Sequence, residues 1–125
     1  MSEGAIPDDA RQFLLKTIDS IAQWEAVLFL RARKDTASDV ATVAGHLYIS
    51  ESEAAPLLAS LVRRGIIRRT GDGYVYAPKT PELDAMVAHV ADLYRQYLIP
   101  VTNIIHSKPR SRVQEFANAF RIRKD

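Results

Sequence analysis

Between Asp35 and Arg69 the chain carries two helix starts, a glycine stop and a strand pair in close succession, a constraint that few folds satisfy. Thr36 with Asp39 three positions on opens a short helix whose Val40, Val43, Ala44 and Leu47 share one face, with Gly45, His46 and Tyr48 at its end. Ser50 with Glu53 forms a capping box, so a second helix starts at Glu51 and buries Ala54, Leu57 or Leu58, Leu61 and Val62. Gly65 supplies the left-handed residue that ends it. Ile66, Ile67 and Arg68 then read as a strand, and Asp72-Gly73 turns the chain into the alternating Tyr74-Val75-Tyr76.

The flanks are helical. Asp8 or Asp9 caps a first helix carrying Phe13, Leu14, Ile18 and Ile21, with Pro7 just before it. Ser20 and Gln23 form another capping box, and Trp24, Val27, Leu28 and Leu30 make an apolar helix running to about Lys34. Thr80, with Pro81 at the first helical position, opens the longest helix. Its Leu83, Met86, Val90, Leu93 and Tyr97 alternate steps of three and four, and Val87, Tyr94, Leu98 and Val101 widen that face. Pro100 kinks this helix or ends it early. After a break at Ser107-Lys108-Pro109, Ser111 caps a last short helix with Val113, Phe116, Ala117 and Phe120 on one side.

The order of residues from Leu47 to Ile67, a turn ending in Ile49, a capping Ser50, buried Ala54, Leu58 and Leu61, then Val62-Arg63-Arg64-Gly65-Ile66-Ile67, resembles winged-helix transcription regulators of the broad MarR, PadR and ArsR kind. The likeness covers roughly residues 18–78. Residues 104–125 also resemble small bacterial winged-helix proteins, a likeness that carries no activity. The resemblance implies a mainly α fold: a winged helix-turn-helix with a two-stranded β wing and a long C-terminal dimerisation helix. The expected organisation is an N-terminal helix over 1–17, a winged-helix domain over 18–78, and a C-terminal helical dimerisation region with a basic tail over 79–125.

Such regulators set the second helix of the motif into the major groove. The resemblance implies DNA contacts from Ser52, Ser60, Arg63 and Arg64 on that helix and from Arg68 and Arg69 in the wing. The double-width apolar stripe of the long helix predicts a homodimer built on residues 81–106, through Leu83, Met86, Val90, Leu93 and Tyr97. The charge pattern departs from this. From Asp35 through Val62 there is no Lys or Arg, only Asp35, Asp39, Glu51 and Glu53, and two carboxylates facing phosphate repel it. Pro56 removes a backbone donor in mid-helix and is expected to bend it or set its first turn apart. The wing tip carries Asp72. In contrast, residues 106–125 hold six basic side chains against two acidic ones, a local charge of +4 that leaves −2 for the rest of a chain whose total is +2. That tail, and the cluster Arg63, Arg64, Arg68 and Arg69, read either as polyanion contacts or as solvated surface.

Two functional readings follow. The first is a DNA-binding transcription regulator acting on double-stranded DNA as a homodimer. The alternative is an adapter whose apolar and acidic helix face around Ala55, Pro56 and Ala59 binds another protein.

Other chemistry has little support. With no cysteine, thiol catalysis, disulfides and Cys-ligated metals are excluded. There is no Gly-x-Ser-x-Gly elbow, His-Glu-x-x-His pair or dinucleotide fingerprint, and Gly71-Asp72-Gly73 lacks the lysine of a P-loop, so neither an enzyme nor a cofactor is expected. His46, His89 and His106 lie in separate segments and suggest no metal site. The aromatics Tyr48, Tyr74, Tyr76, Tyr94, Tyr97, Phe116 and Phe120 serve packing or line a ligand pocket. The absence of a long apolar run or a signal-peptide pattern points to a cytoplasmic protein without membrane contact.

Overall fold

A computed structural model describes residues 5–107. The expected last helix and the basic tail beyond Ser107 lie outside the described residues. The order is α1 (Asp8–Thr17), α2 (Ile21–Ala32), α3 (Val40–Leu47), α4 (Glu51–Arg63), β1 (Ile67–Thr70), β2 (Gly73–Tyr76) and α5 (Pro81–Gln96), followed by a further helix, α6, at 98–107. This mainly helical chain with a small antiparallel sheet is compatible with a winged helix. No helix among the described residues is long and apolar enough to cross a membrane.

The chain divides into two compact units, Ala22–Asp92 and a second made of Met1–Ile21 with Leu93–Asp125. In the second unit, α1 contributes buried Ala10 and Leu14, joined by Ile6, Ile18, Val101, Ile104 and Ile105 in the apolar core. Asp8 and Asp9 do not cap α1. Pro7 is its N-cap, and both carboxylates sit in the first turn, where they suit the helix dipole; Asp9 also accepts from the Ala10 amide at 2.8 Å. The break at Tyr97, between α5 and α6, follows from Pro100, which has no N–H to give the Gln96 carbonyl. The Val101 amide instead reaches the Tyr97 carbonyl at 3.1 Å.

The Ala22–Asp92 unit is built around Trp24, Val27 and Leu30 of α2, Val43 of α3, Ala54, Leu58 and Leu61 of α4, and Val87 and Val90 of α5. The spacing of Ala54, Leu58 and Leu61 settles the α4 stripe on Leu58, with Leu57 half-buried. Buried Gln23 donates from Nε2 to the Leu57 carbonyl at 3.2 Å and so ties α2 to the middle of α4.

Both ends of α4 are set locally. Ser50 Oγ accepts from the Glu53 amide and the Glu53 carboxylate accepts from the Ser50 amide, each at 3.1 Å, a complete capping box. At the far end Gly65 takes φ +78°, while the Ile66 amide reaches the Leu61 carbonyl and the Gly65 amide that of Val62. Pro56 does not set the first turn of α4 apart; the helix is continuous from Glu51 to Arg63. The bond it forgoes belongs to the carbonyl of exposed Ser52, which water can satisfy.

The start of α3 differs from the expectation. Thr36 does not open a helix, because Ser38 pairs with Tyr74 through reciprocal backbone bonds of 2.9 and 2.8 Å. The chain stays extended until Asp39, whose carboxylate accepts from the Thr42 amide at 2.8 Å and caps α3 instead. This bridge packs Ser38 tightly on the hairpin: a Cβ at Gly73 would lie 3.0 Å from the Ser38 carbonyl oxygen. The hairpin register pairs Thr70 with Gly73, so its loop is Gly71-Asp72, one residue before the expected Asp72-Gly73. Gly71, at φ +56°, supplies the positive backbone angle the loop needs.

α5 begins as its sequence indicates. Thr80 Oγ1 accepts from the Leu83 amide at 3.0 Å, with Pro81 as the first helical residue. The expected dimer stripe, however, is partly used within one chain: Val90 is 0% and Leu93 8% exposed, and Leu83 and Met86 are half-buried. The exposed apolar residues lie further on, at Tyr97, Leu98 and Ile99.

Candidate macromolecule-binding face

The outward stripe of α4 follows from its buried one. At about 100° per residue, Ser52, Pro56, Ala59 and Arg63 lie opposite Ala54, Leu58 and Leu61, with Ala55 beside them and Glu51 in the first turn, nearer the buried arc. Glu51, Ser52, Ala55, Pro56 and Arg63 are exposed and Ala59 is half-buried. The outward stripe is therefore small and apolar over its first three turns, with exposed Glu51 at the helix start and one arginine at its end.

The residues expected to contact DNA do not gather on that face. Ser52 is exposed, its hydroxyl 3.0 Å from that of Ser50. Ser60 is 7% exposed, although helix geometry sets it well away from the arc of Ala54, Leu58 and Leu61. Arg64, the C-cap, is half-buried, whereas Arg63 is exposed. Arg68 and Arg69 are both exposed but, as neighbours in a strand, point to opposite faces of the hairpin. Arg69 shares its face with Tyr74, across the ladder, and its guanidinium lies 5.8 Å from that ring's centroid. Period-two alternation already separates these arginines in the sequence.

Glu53 is bound into the cap, so its carboxylate is partly committed to the Ser50 amide and hydroxyl. Glu51, in the same first turn, suits the helix dipole but is no part of the capping box. Together with Asp39 at the start of α3 and Asp72 at the hairpin tip, both exposed, it keeps this unit's helical pair and turn acidic.

Tyr48 neither packs in the core nor lines the cavity on α2 and α5. It is 95% exposed and holds φ +58° in the turn between α3 and α4. Such a backbone costs a non-glycine residue about 1 kcal/mol or more, and an exposed ring recovers none of it by burial. Close by in sequence, exposed His46 stacks on half-buried Phe29 with centroids 4.2 Å apart, and the Arg33 guanidinium lies 5.3 Å from the Phe29 centroid. The α3 end and the turn thus present aromatic surface beside the start of α4. No signal in the sequence marks Tyr48 as special, because a left-handed tyrosine is recognised only once the turn is known.

Among known proteins, no family model, no curated protein and no solved structure matches this chain.

Proposed function

We propose that this chain is a winged-helix module that recognises another protein through the outward face of α4 and the preceding turn. The observation that carries the reading is the composition of that face: Glu51, Ser52, Ala55 and Pro56 are exposed with exposed Tyr48 before them, and the first cation of the stripe is Arg63. Large amphipathic aromatics anchor protein interfaces, and small side chains let a partner's backbone approach closely. The acidic flank selects a partner segment that is basic as well as apolar.

The test has two parts. A photo-reactive residue placed at Ala55 or Ala59 captures one discrete partner that a probe at exposed Lys16 does not, and Glu51→Gln with Tyr48→Ala abolishes the capture. In parallel, labelled duplex DNA shows no saturable binding at physiological salt. Capture unchanged in that double variant, or specific duplex binding that needs Ser52 and Arg63, overturns the reading.

The second reading, a homodimeric DNA-binding transcription regulator, is favoured by one observation: Arg63 and Arg68 are both exposed at the end of α4 and in the hairpin. On this reading they supply phosphate contacts, affinity falls steeply with salt, and base readout by α4 is slight. Its dimer contact uses the exposed Tyr97, Leu98 and Ile99.

A further inference from the structure

We propose that the cavity between the end of α2 and the start of α5 binds a small organic anion with a compact apolar body. Its volume is about 440 Å³, within the range of small-molecule pockets, and all its walls belong to the Ala22–Asp92 unit. Arg31, in the last turn of α2, and Lys34, just beyond it, place two cations on the cavity lining. Pro81, Ala85 and Ala88 recur at one-face spacing along α5 and line it with small apolar groups, leaving room where longer exposed side chains would fill it. Tyr76, on β2, also lines the cavity.

The charge balance sets the ligand's sign. Asp84 is the one acidic group in the lining, and the Tyr76 hydroxyl donates to its Oδ1 at 2.7 Å. Burial, reinforced by Asp84 and partly opposed by the Arg31 guanidinium that also reaches the phenol oxygen, pushes Tyr76 well above its ordinary range, so it stays a neutral donor at physiological pH. The lining therefore holds two cations and one carboxylate that is already hydrogen-bonded, an excess of one positive charge. A guanidinium and an ammonium suit a carboxylate or a phosphate monoester, and the alanines suit a flat ring or short chain. Helix-dipole complementarity accounts for a cation at the end of α2 but not for a cavity walled by small residues opposite it.

The experiment is an amide-resolved NMR titration of the full chain with benzoate, phenyl phosphate and benzylamine at neutral pH. Saturable shifts are expected at Arg31, Lys34, Tyr76, Ala85 and Ala88 with at least one of the two anions, and none with benzylamine. The tighter anion identifies the headgroup. Arg31→Gln with Lys34→Gln weakens binding by at least about tenfold. Ala85→Leu, which fills the cavity from an exposed helix position, abolishes binding while the amide spectrum keeps its native dispersion. Equal shifts with benzylamine, no saturation by either anion up to about 20 mM, or binding indifferent to both sets of variants overturns the proposal.

Discussion

Tyr48 occupies at the end of α3 the left-handed slot that Gly65 occupies at the end of α4. In each turn the next amide reaches back to a helix carbonyl, Ile49 to Ala44 and Ile66 to Leu61, both at 3.1 Å. Gly65 takes its φ of +78° without a Cβ, whereas Tyr48 takes φ +58° with a full, exposed side chain. Tyr48→Gly is therefore expected to hold or raise stability, by up to about 1 kcal/mol, because relief of the strained backbone outweighs the added chain entropy. Denaturant unfolding measures the first effect. The same variant is expected to lose the proposed partner, and loss of stability in it would show that the ring contributes to the fold.

Gly73 and Gly71 make a contrasting pair of substitutions. A Cβ at Gly73 meets the Ser38 backbone at 3.0 Å, so Gly73→Ala must displace the Ser38–Tyr74 bridge and costs about 1–3 kcal/mol. At Gly71 a Cβ meets nothing within 4 Å, and the cost of Gly71→Ala comes from φ alone. Hydrogen exchange separates the two: the Ser38 and Tyr74 amides lose protection in Gly73→Ala and keep it in Gly71→Ala.

Tyr76 gives the protein an alkaline limit. Its raised ionisation means that its contribution is complete below the ordinary phenol value of 10 and is lost as pH climbs from there through the raised value. Tyr76→Phe removes the bond to Asp84, lowers stability at neutral pH by about 1–2 kcal/mol, and reduces the fall in stability above pH 10. Thermal unfolding at neutral and alkaline pH reads both effects.

Asp39 works at the other end of the scale. The Thr42 hydrogen bond holds its carboxyl below the ordinary value of 3.8, so the cap is present above that value and lost as pH falls through the lowered one. Asp39→Asn keeps an acceptor for the Thr42 amide and flattens this acid dependence, whereas Asp39→Ala removes the cap at every pH. The exchange rate of the Thr42 amide distinguishes the two variants.

Val90 and Ile99 separate folding from self-association. Val90→Asp buries an unpaired carboxylate and lowers the melting temperature, since Val90 is covered within one chain. Ile99, 63% exposed, tolerates Asp in the fold, and Ile99→Asp shifts any dimer seen by sedimentation to monomer without moving the melting temperature. A dimer that survives Ile99→Asp would place the contact elsewhere.

What could be read from the residues alone was what neighbours along the chain decide. Ser50 and Glu53 close a capping box within four residues, Gly65 relieves a local backbone demand, and Thr80-Pro81 starts a helix with no help from the rest of the protein. These signals placed α4, its end and the start of α5. The tertiary structure decided whatever depends on a distant partner. Ser38 became extended because Tyr74 lies beside it, which moved the start of α3 to Asp39, and the pairing of Thr70 with Gly73 set the hairpin loop one residue early. Ser60 became buried, and Val90 and Leu93 were covered within a single chain, although their stripe predicts a second copy. An apolar stripe states that a face must be covered, but not by what, since hydrophobic burial has no direction and names no partner.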